Sequence, residues 1–270
     1  MTQSYKIIFT HANFLLFLQI DFINQINYII MKKIILYVSL LILAPIMVAQ
    51  ESTLNTLTPQ EIKKGWTLLF NGQNLEGWTS VGRTTTPERG WTVEDGILTV
   101  NKGGAKKGGD IITTQQFSEF DLTFDFRLTK AANSGIKYLF TNYEKGGWLG
   151  NEYQVLDDDF HPDAKAGRDG NRKTASLYDV FPAGKKEMKQ TGEWNSARIV
   201  VKGTKVTHYL NGKVTLSYNS KSKAYKEAVA LSKFKEAKPV FGMIEKGYIL
   251  IQDHQDEVSF RNIKIKDLSK

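Results

Sequence analysis

Apolar and polar residues alternate without a break over Phe120–Leu128, with Phe or Leu at every even number. A period of two belongs to an antiparallel strand with one face buried. Residues 206–210 and 214–218 repeat the pattern around Asn211-Gly212, a pair suited to positive φ, and predict a hairpin. Residues 91–93 and 96–100 flank Glu94-Asp95 in the same way. Further strands are expected over 197–202, 248–252 and 258–265. In the last, the apolar positions move from Val258 and Phe260 to Ile263 and Ile265. That even-to-odd shift predicts a bulge near Arg261-Asn262. Only two stretches read as helical. Thr58 can cap a short helix with Pro59 in its first turn and Glu61 closing a capping box. The other is an insertion over 223–234. Regularly spaced strands, Gly-rich turns and little helix predict an all-β sandwich of two antiparallel sheets. No composition shift or repeat divides residues 60–268, so they read as one domain behind an N-terminal linker over 50–59.

The first residues follow another pattern. Met31-Lys32-Lys33 precedes an apolar and small-residue run broken only by Ser39 and Pro45, and Met47-Val48-Ala49 ends it before Gln50. A basic start, a short apolar stretch and an Ala-ended junction predict a signal peptide over 31–49. The run is shorter than the roughly 20 residues a membrane span needs. The mature chain is therefore expected to carry no span, and to be periplasmic or extracellular. Residues 1–30 read as an upstream extension, with Met31 as the initiator.

Composition narrows the chemistry. The 270 residues are 41% apolar and 24% charged, in the globular range. There is no Cys, which removes thiol nucleophiles, disulfides and Cys-ligated metals. A formal charge of +8 raises the question of nucleic acid. The lysines, however, are scattered through loops such as Lys185, Lys186 and Lys189, and no Arg cluster interleaves with aromatics. A solvated surface accounts for them, with no nucleic-acid partner. His208 shares a strand face with Val206 and Leu210 and reads as a partly buried structural residue. The glycine-rich run 102–109 lacks P-loop spacing and a following helix, and reads as a mobile loop.

Three segments carry candidate chemistry. In residues 151–157, Tyr153 and Val155 point one way and Glu152 and Gln154 the other. The polar face could line a groove, or be the ordinary solvated face of an antiparallel sheet. In Gln252-Asp253-His254, Gln252 and His254 share a face. An imidazole titrates near neutrality and suits acid–base work, with Asp253 or Asp256 to orient it; a surface-turn His is the plain alternative. Third, Asp157, Asp158, Asp159, His161 and Asp163 fall within one short stretch. They could hold Ca²⁺ or another divalent cation through oxygen, though EF-hand spacing is absent. They could equally form turns and bind sugar hydroxyls. Asn133-Ser134-Gly135 could place an amide and a hydroxyl at a sheet edge, or be a plain turn.

These segments share an order. Gly65-Trp66-Thr67-Leu68-Leu69-Phe70-Asn71-Gly72, then Trp91-Thr92-Val93-Glu94-Asp95-Gly96, Asn133-Ser134-Gly135 and Asn151-Glu152-Tyr153-Gln154-Val155-Leu156-Asp157 come first. His161-Pro162-Asp163-Ala164, Gly192-Glu193-Trp194-Asn195, Gln252-Asp253-His254 and Val258-Ser259-Phe260-Arg261-Asn262-Ile263 complete it. Over residues 60–268 the series resembles the 3-keto-disaccharide hydrolase domain family. The resemblance implies a concanavalin A-like jelly roll, export, and cleavage of 3-keto-glycosides. It also implies a carbohydrate partner, oxidised upstream by a sugar 3-dehydrogenase. The insertion 223–234 departs from shorter members.

Glucanases on similar jelly rolls set two or three carboxylates on one strand. Here that strand offers Glu152 and Gln154, one carboxylate short of a two-carboxylate displacement. A 3-keto sugar does not need the second. Its ketone acidifies the C2 proton, so one base can remove it while the aglycone leaves from C1, and water can add afterwards. Glu152 and His254 are the expected base and acid, in either order. Gln154, Gln252, Arg261 or a cation would stabilise the enediolate. Asp157, His161, Asn133, Ser134, Asp253 and Trp148 complete the expected substrate-binding set. Competing readings are a non-catalytic sugar-binding module, with Trp148, Trp78 or Tyr143 stacking on pyranose rings, and a structural surface domain.

Overall fold

The computed structural model describes residues 21–23, 25–33, 54–103 and 108–269. The chain divides into two units, Met1–Glu51 and Ser52–Lys270. In the first, residues 21–23 and 25–33 are helical. Most of the expected signal peptide lies outside the described residues. Among the described residues, no helix is long and apolar enough to cross a membrane.

The second unit is two packed antiparallel sheets. The larger holds β1 (Trp66–Leu68), β3 (Trp91–Glu94), β4 (Ile97–Val100), β6 (Phe120–Leu128), β9 (Asn195–Lys202), β10 (Lys205–Leu210), β11 (Lys213–Asn219) and β13 (Val258–Asp267). Its order is β11-β10-β9-β6-β13-β4-β3, with β1 on the second half of β13. The smaller holds β2 (Trp78–Ser80), β5 (Ile111–Phe117), β7 (Asn133–Tyr143), β8 (Gly147–Leu156) and β12 (Gly247–Ile251), in the order β2-β5-β12-β7-β8.

The alternation in β6 does what its period requires. Phe120, Leu122, Phe124, Phe126 and Leu128 are all buried between the sheets. Phe120 meets Tyr138 of β7 edge-on at 6.1 Å, and Phe124 meets Tyr153 of β8 edge-on at 5.6 Å. Such geometry satisfies the ring quadrupoles while closing the core. His208 is fully buried here rather than partly. It is bonded to Tyr138 Oη at 2.8 Å and to the Ala175 carbonyl at 3.0 Å.

The parity shift in β13 is a bulge: register slips between Arg261 and Lys264, and Asn262 has φ of 53°. The bulge also corrects the expected linker. Asn55 and Asn262 exchange backbone-to-side-chain bonds, each 2.8 Å, and Asn55 is only 4% exposed. The chain is thus pinned to the sandwich before residue 60, because an Asn amide can stand in for a missing strand partner. A second correction is one residue in size. The β3–β4 turn is Asp95-Gly96, with φ of 51° and 74°, rather than Glu94-Asp95. It uses the same positive-φ pair as Asn211-Gly212.

Both helices form. Pro59–Lys63 carries the full Thr58/Glu61 capping box. Lys223–Ala230 is shorter than the expected 223–234. Asp179 Oδ2 takes the Lys233 amide at 2.8 Å and Ser232 Oγ takes that of Phe234 at 3.1 Å. These side chains hold both N–H groups away from a helical ladder.

Candidate active site

The smaller sheet has one face on the core and one turned outward. On β8 the outward residues are the even ones, Trp148, Gly150, Glu152 and Gln154; from β12 onward they are Tyr248, Leu250, Gln252 and His254. Segments from the 157–184 and 223–246 connections cover part of this face. Between sheet and cover is a cavity of about 220 Å³, lined by Glu152, Gln154, Gln252, His254, Asn133 and Trp148 among others. The two polar pairs picked out from parity alone thus meet in one place.

Glu152 lies across the neighbouring strand. A Cβ at Gly135 would collide with Glu152 Oε1 and come within 3.0 Å of its Cγ and Cδ. Lys137 Nζ stands 3.9 Å from Glu152 Oε2. Burial raises the Glu152 pKa, the positive charges of Lys137 and Lys233 pull it back, and Asp110 and Asp163 push it up again. Burial lowers the Lys233 pKa in turn, against the pull of Glu152. Its ammonium sits 4.2 Å from the centre of the Tyr178 ring. The result is a buried carboxylate beside ammonium groups, at the floor of a cavity whose rim residues Lys233, His254 and Trp148 are exposed.

Beside Glu152, Gln154 donates to Asn133 Oδ1 at 3.2 Å. Gln154 is 1% exposed, and its Oε1 is buried with no hydrogen-bond partner in the protein. A buried acceptor left open carries a cost that a ligand hydroxyl would remove.

His254 is held by a chain of contacts. Its Nδ1 is 3.1 Å from Asp256 Oδ2, and the same oxygen is 3.9 Å from His161 Nε2. The two imidazoles meet edge-on at 5.6 Å. His161 is 8% exposed, and its pKa is lowered by burial first and by His254 second. The ligand atoms of His161, His254 and Asp256 lie within 4.8 Å of one another, so this group could hold a metal ion. One bond works against it. The Asp163 amide donates to His161 Nδ1 at 3.1 Å, which places the hydrogen of a neutral ring on Nε2, the atom that would face the ion. As the bonds stand, His161 and His254 both point N–H groups at Asp256, and His254 Nε2 is left for the cavity.

The other expected residues are engaged in bonds of their own, although Asn133 and Asp163 still line the cavity. Asp157 accepts the amides of Ala131, Asp159 and Phe160, and Asp158 takes Lys186 Nζ at 2.7 Å. Asp163 pairs with Arg172 at 2.8 Å. The acidic stretch therefore does not converge on one point, and the oxygen-ligated Ca²⁺ reading loses its ligands. Asp253 takes the amides of Gly108 and Gly109, at 2.9 and 2.8 Å, and leaves the orienting role to Asp256. Those two glycines are thereby tied down, while residues 104–107 of the expected mobile loop lie outside the described residues. Asn133 and Ser134 open a central strand, neither edge nor turn. Ser134 Oγ bonds the Gln252 carbonyl at 2.8 Å. Arg261 is in the other sheet, 4.1 Å from the Trp194 ring and bonded to Asp125.

Lys137 and Lys233 are the cationic residues that sequence reasoning missed. Lys137 shares its strand face with Gly135 and Asn133, a signal that a strand assignment at 133–143 would have exposed. Lys233 has no local signal, because only the packing of the insertion brings it over β8.

A family profile described as the 3-keto-alpha-glucoside-1,2-lyase-like domain matches residues 65–266. The chain belongs to this family. Among the proteins it resembles is the 3-keto-disaccharide hydrolase of Bacteroides thetaiotaomicron, 39% identical over 230 residues, covering 76% of this chain and 79% of that one. A Parabacteroides distasonis protein provisionally named a glycosyl hydrolase has a crystal structure that matches with a TM-score of 0.67 at 30% identity. It covers 80% of this chain and 100% of its own. A second from that organism gives 0.59 at 26% identity, over 75% and 99%. The fold is thus the all-β sandwich of two antiparallel sheets expected from the strand pattern, of the jelly-roll kind that the resemblance implied.

Proposed function

We propose that the protein cleaves the glycosidic bond of 3-keto-glycosides by elimination, followed by addition of water. The observation that carries this reading is Glu152: one desolvated carboxylate, beside lysines, in the cavity that also holds His254. A displacement through two carboxylates has no second partner on this strand. Names given to the Bacteroides and Parabacteroides relatives support carbohydrate cleavage, and the basic, apolar and small-residue run 31–49 supports export.

Glu152 removes the C2 proton. Its raised pKa makes it a stronger base than a solvated carboxylate, and it still lies far below the proton it takes, so the carbanion must be stabilised. The electrons of the C2–H bond pass into the ketone, and the oxygen at C3 gains negative charge. Lys137 and Lys233 are the ammonium groups available to it, held at the cavity before the reaction, Lys137 half-buried. As an imidazolium with its Nδ1–H held by Asp256, His254 delivers its Nε2 proton to the glycosidic oxygen as the C1–O bond breaks, and is left neutral. The products of this half are a free alcohol and a 1,2-unsaturated 3-keto sugar. Water then adds at C1 with His254 as base, and Glu152 returns its proton to C2. The sum is hydrolysis. The substrate must come from an enzyme that oxidises a sugar at C3.

A 3-keto-glucoside with a chromogenic aglycone, run beside the unoxidised glucoside and with or without EDTA, tests the reading. Release from the keto substrate alone supports it. Release from neither returns the weight to a sugar-binding module. Loss of rate in EDTA would assign an ion to the His161, His254 and Asp256 group. Glu152→Gln and His254→Gln should each abolish turnover and leave the fold intact; normal rates in both would overturn the mechanism.

A further inference from the structure

The cavity around Glu152 is small for a disaccharide. At about 220 Å³ it falls below the roughly 300 Å³ at which pockets for drug-sized ligands begin. A ring seated at Glu152 leaves little room for a second, which reaches the rim of the cavity where Trp148 stands. Trp148 is placed to receive that second ring. It stands on the same face of β8 as Glu152, four positions away, which is roughly 13 Å along the strand. Gly150 occupies the position between them and lines the cavity without a side chain.

The indole is exposed yet held. It is 37% exposed, stacked on Phe140 at 5.5 Å with 22° between planes, and tilted against Tyr248 at 6.4 Å. Phe140 rests in turn on an apolar cluster with Ile112 and Leu250, against which Val81 and Tyr248 pack. One indole face is therefore supported by the sheet. A Cβ at Gly82 would lie 4.0 Å from Trp148 Nε1, and the residues either side of Gly82, Val81 and Arg83, line a groove of about 820 Å³ together with Arg89 and Asp110. Asp110 accepts the Asp253 amide at 2.9 Å, so this groove begins beside the strand end that carries His254.

We infer that Trp148 forms a leaving-group subsite that takes the pyranose or aryl aglycone of the substrate. This rests on the 3-keto-glycoside reading of the cavity. An indole supported on one face presents the other to the axial C–H groups of a sugar or to an aromatic ring. The arginines of the groove supply donors for the outer hydroxyls.

The test compares three 3-keto-glucosides, with methyl, nitrophenyl and glucosyl aglycones, on wild type, Trp148→Ala and Trp148→Phe. Trp148→Ala should lower kcat/KM on the two ring-bearing substrates about tenfold more than on the methyl glycoside, through KM, and Trp148→Phe should restore most of the difference. An equal loss on all three overturns the subsite. If wild type cleaves none of them, the reaction assigned to the cavity falls, and calorimetric titration with the unoxidised disaccharide decides the subsite separately. Binding that beats methyl glucoside in wild type and is lost in Trp148→Ala supports it. No difference between the two proteins overturns it.

Discussion

The carboxylate of Glu152 occupies the space that a side chain at Gly135 would fill, one strand away in the same sheet. Gly135 is not among the residues with positive φ, so its backbone conformation is open to any amino acid. What forbids a side chain there is Glu152 itself. Gly135→Ala should therefore displace the carboxylate without breaking the strand. A misplacement near 1 Å costs about a hundredfold in rate. The expected result is a loss of that order in kcat with the circular dichroism spectrum unchanged. Full activity in the variant would mean that Glu152 is not the base.

Lys233→Met removes an ammonium whose charge lowers the Glu152 pKa. Without it the carboxyl holds its proton to higher pH. A base works only when deprotonated, so the acidic limb of the kcat/KM profile should move to higher pH in the variant. The maximal rate should also fall, since less positive charge faces the enediolate. An acidic limb that stays in place while the rate drops would separate Lys233 from Glu152 and leave it a packing role.

Much of this architecture can be read from parity. The unbroken alternation of Phe120–Leu128, the shift between Phe260 and Ile263, and the shared faces of Glu152 with Gln154 and of Gln252 with His254 all follow from a two-residue period. The period says which residues share a face, but not what covers it. Tyr178 and Lys233 reach the cavity only because the connections after β8 and β11 fold over the smaller sheet. Asp157 and Asp253 misled for a related reason. A carboxylate that accepts backbone amides at a turn looks, in sequence, like one that meets a substrate. Its neighbours in space decide, and they are distant in the chain.

Asp256 should matter through His254. Its carboxylate fixes which imidazole nitrogen carries the hydrogen, so Asp256→Asn leaves the shape and loses that preference. A loss of about a hundredfold in kcat is expected, the lower end of what general acid–base catalysis supplies. The shift should be larger for aglycones with a high pKa, which need the proton most. Equal losses for good and poor leaving groups would make Asp256 merely structural. His161→Gln, which touches the same carboxylate from further away, should cost less.

His208 gives the fold a pH limit that is independent of the site. It is fully buried, and that burial lowers its pKa to about 4, from an ordinary value of 6.5. Above pH 6.5 it is neutral in both folded and unfolded chains, and its contribution is fully present. Between about 6.5 and 4 the unfolded chain binds a proton that the folded one does not, so stability falls with pH; below about 4 the loss levels off. The full loss is about 3 kcal/mol, a large part of an ordinary folding free energy. Urea unfolding at pH 7, 5.5 and 4.5 measures it. His208→Gln should be less stable than wild type at pH 7, because the imidazole bridges Tyr138 Oη and the Ala175 carbonyl. Its stability should nonetheless decline less between pH 7 and 4.5. Parallel slopes in the two proteins would mean that the acid sensitivity of the sandwich comes from other groups, and not from the buried imidazole.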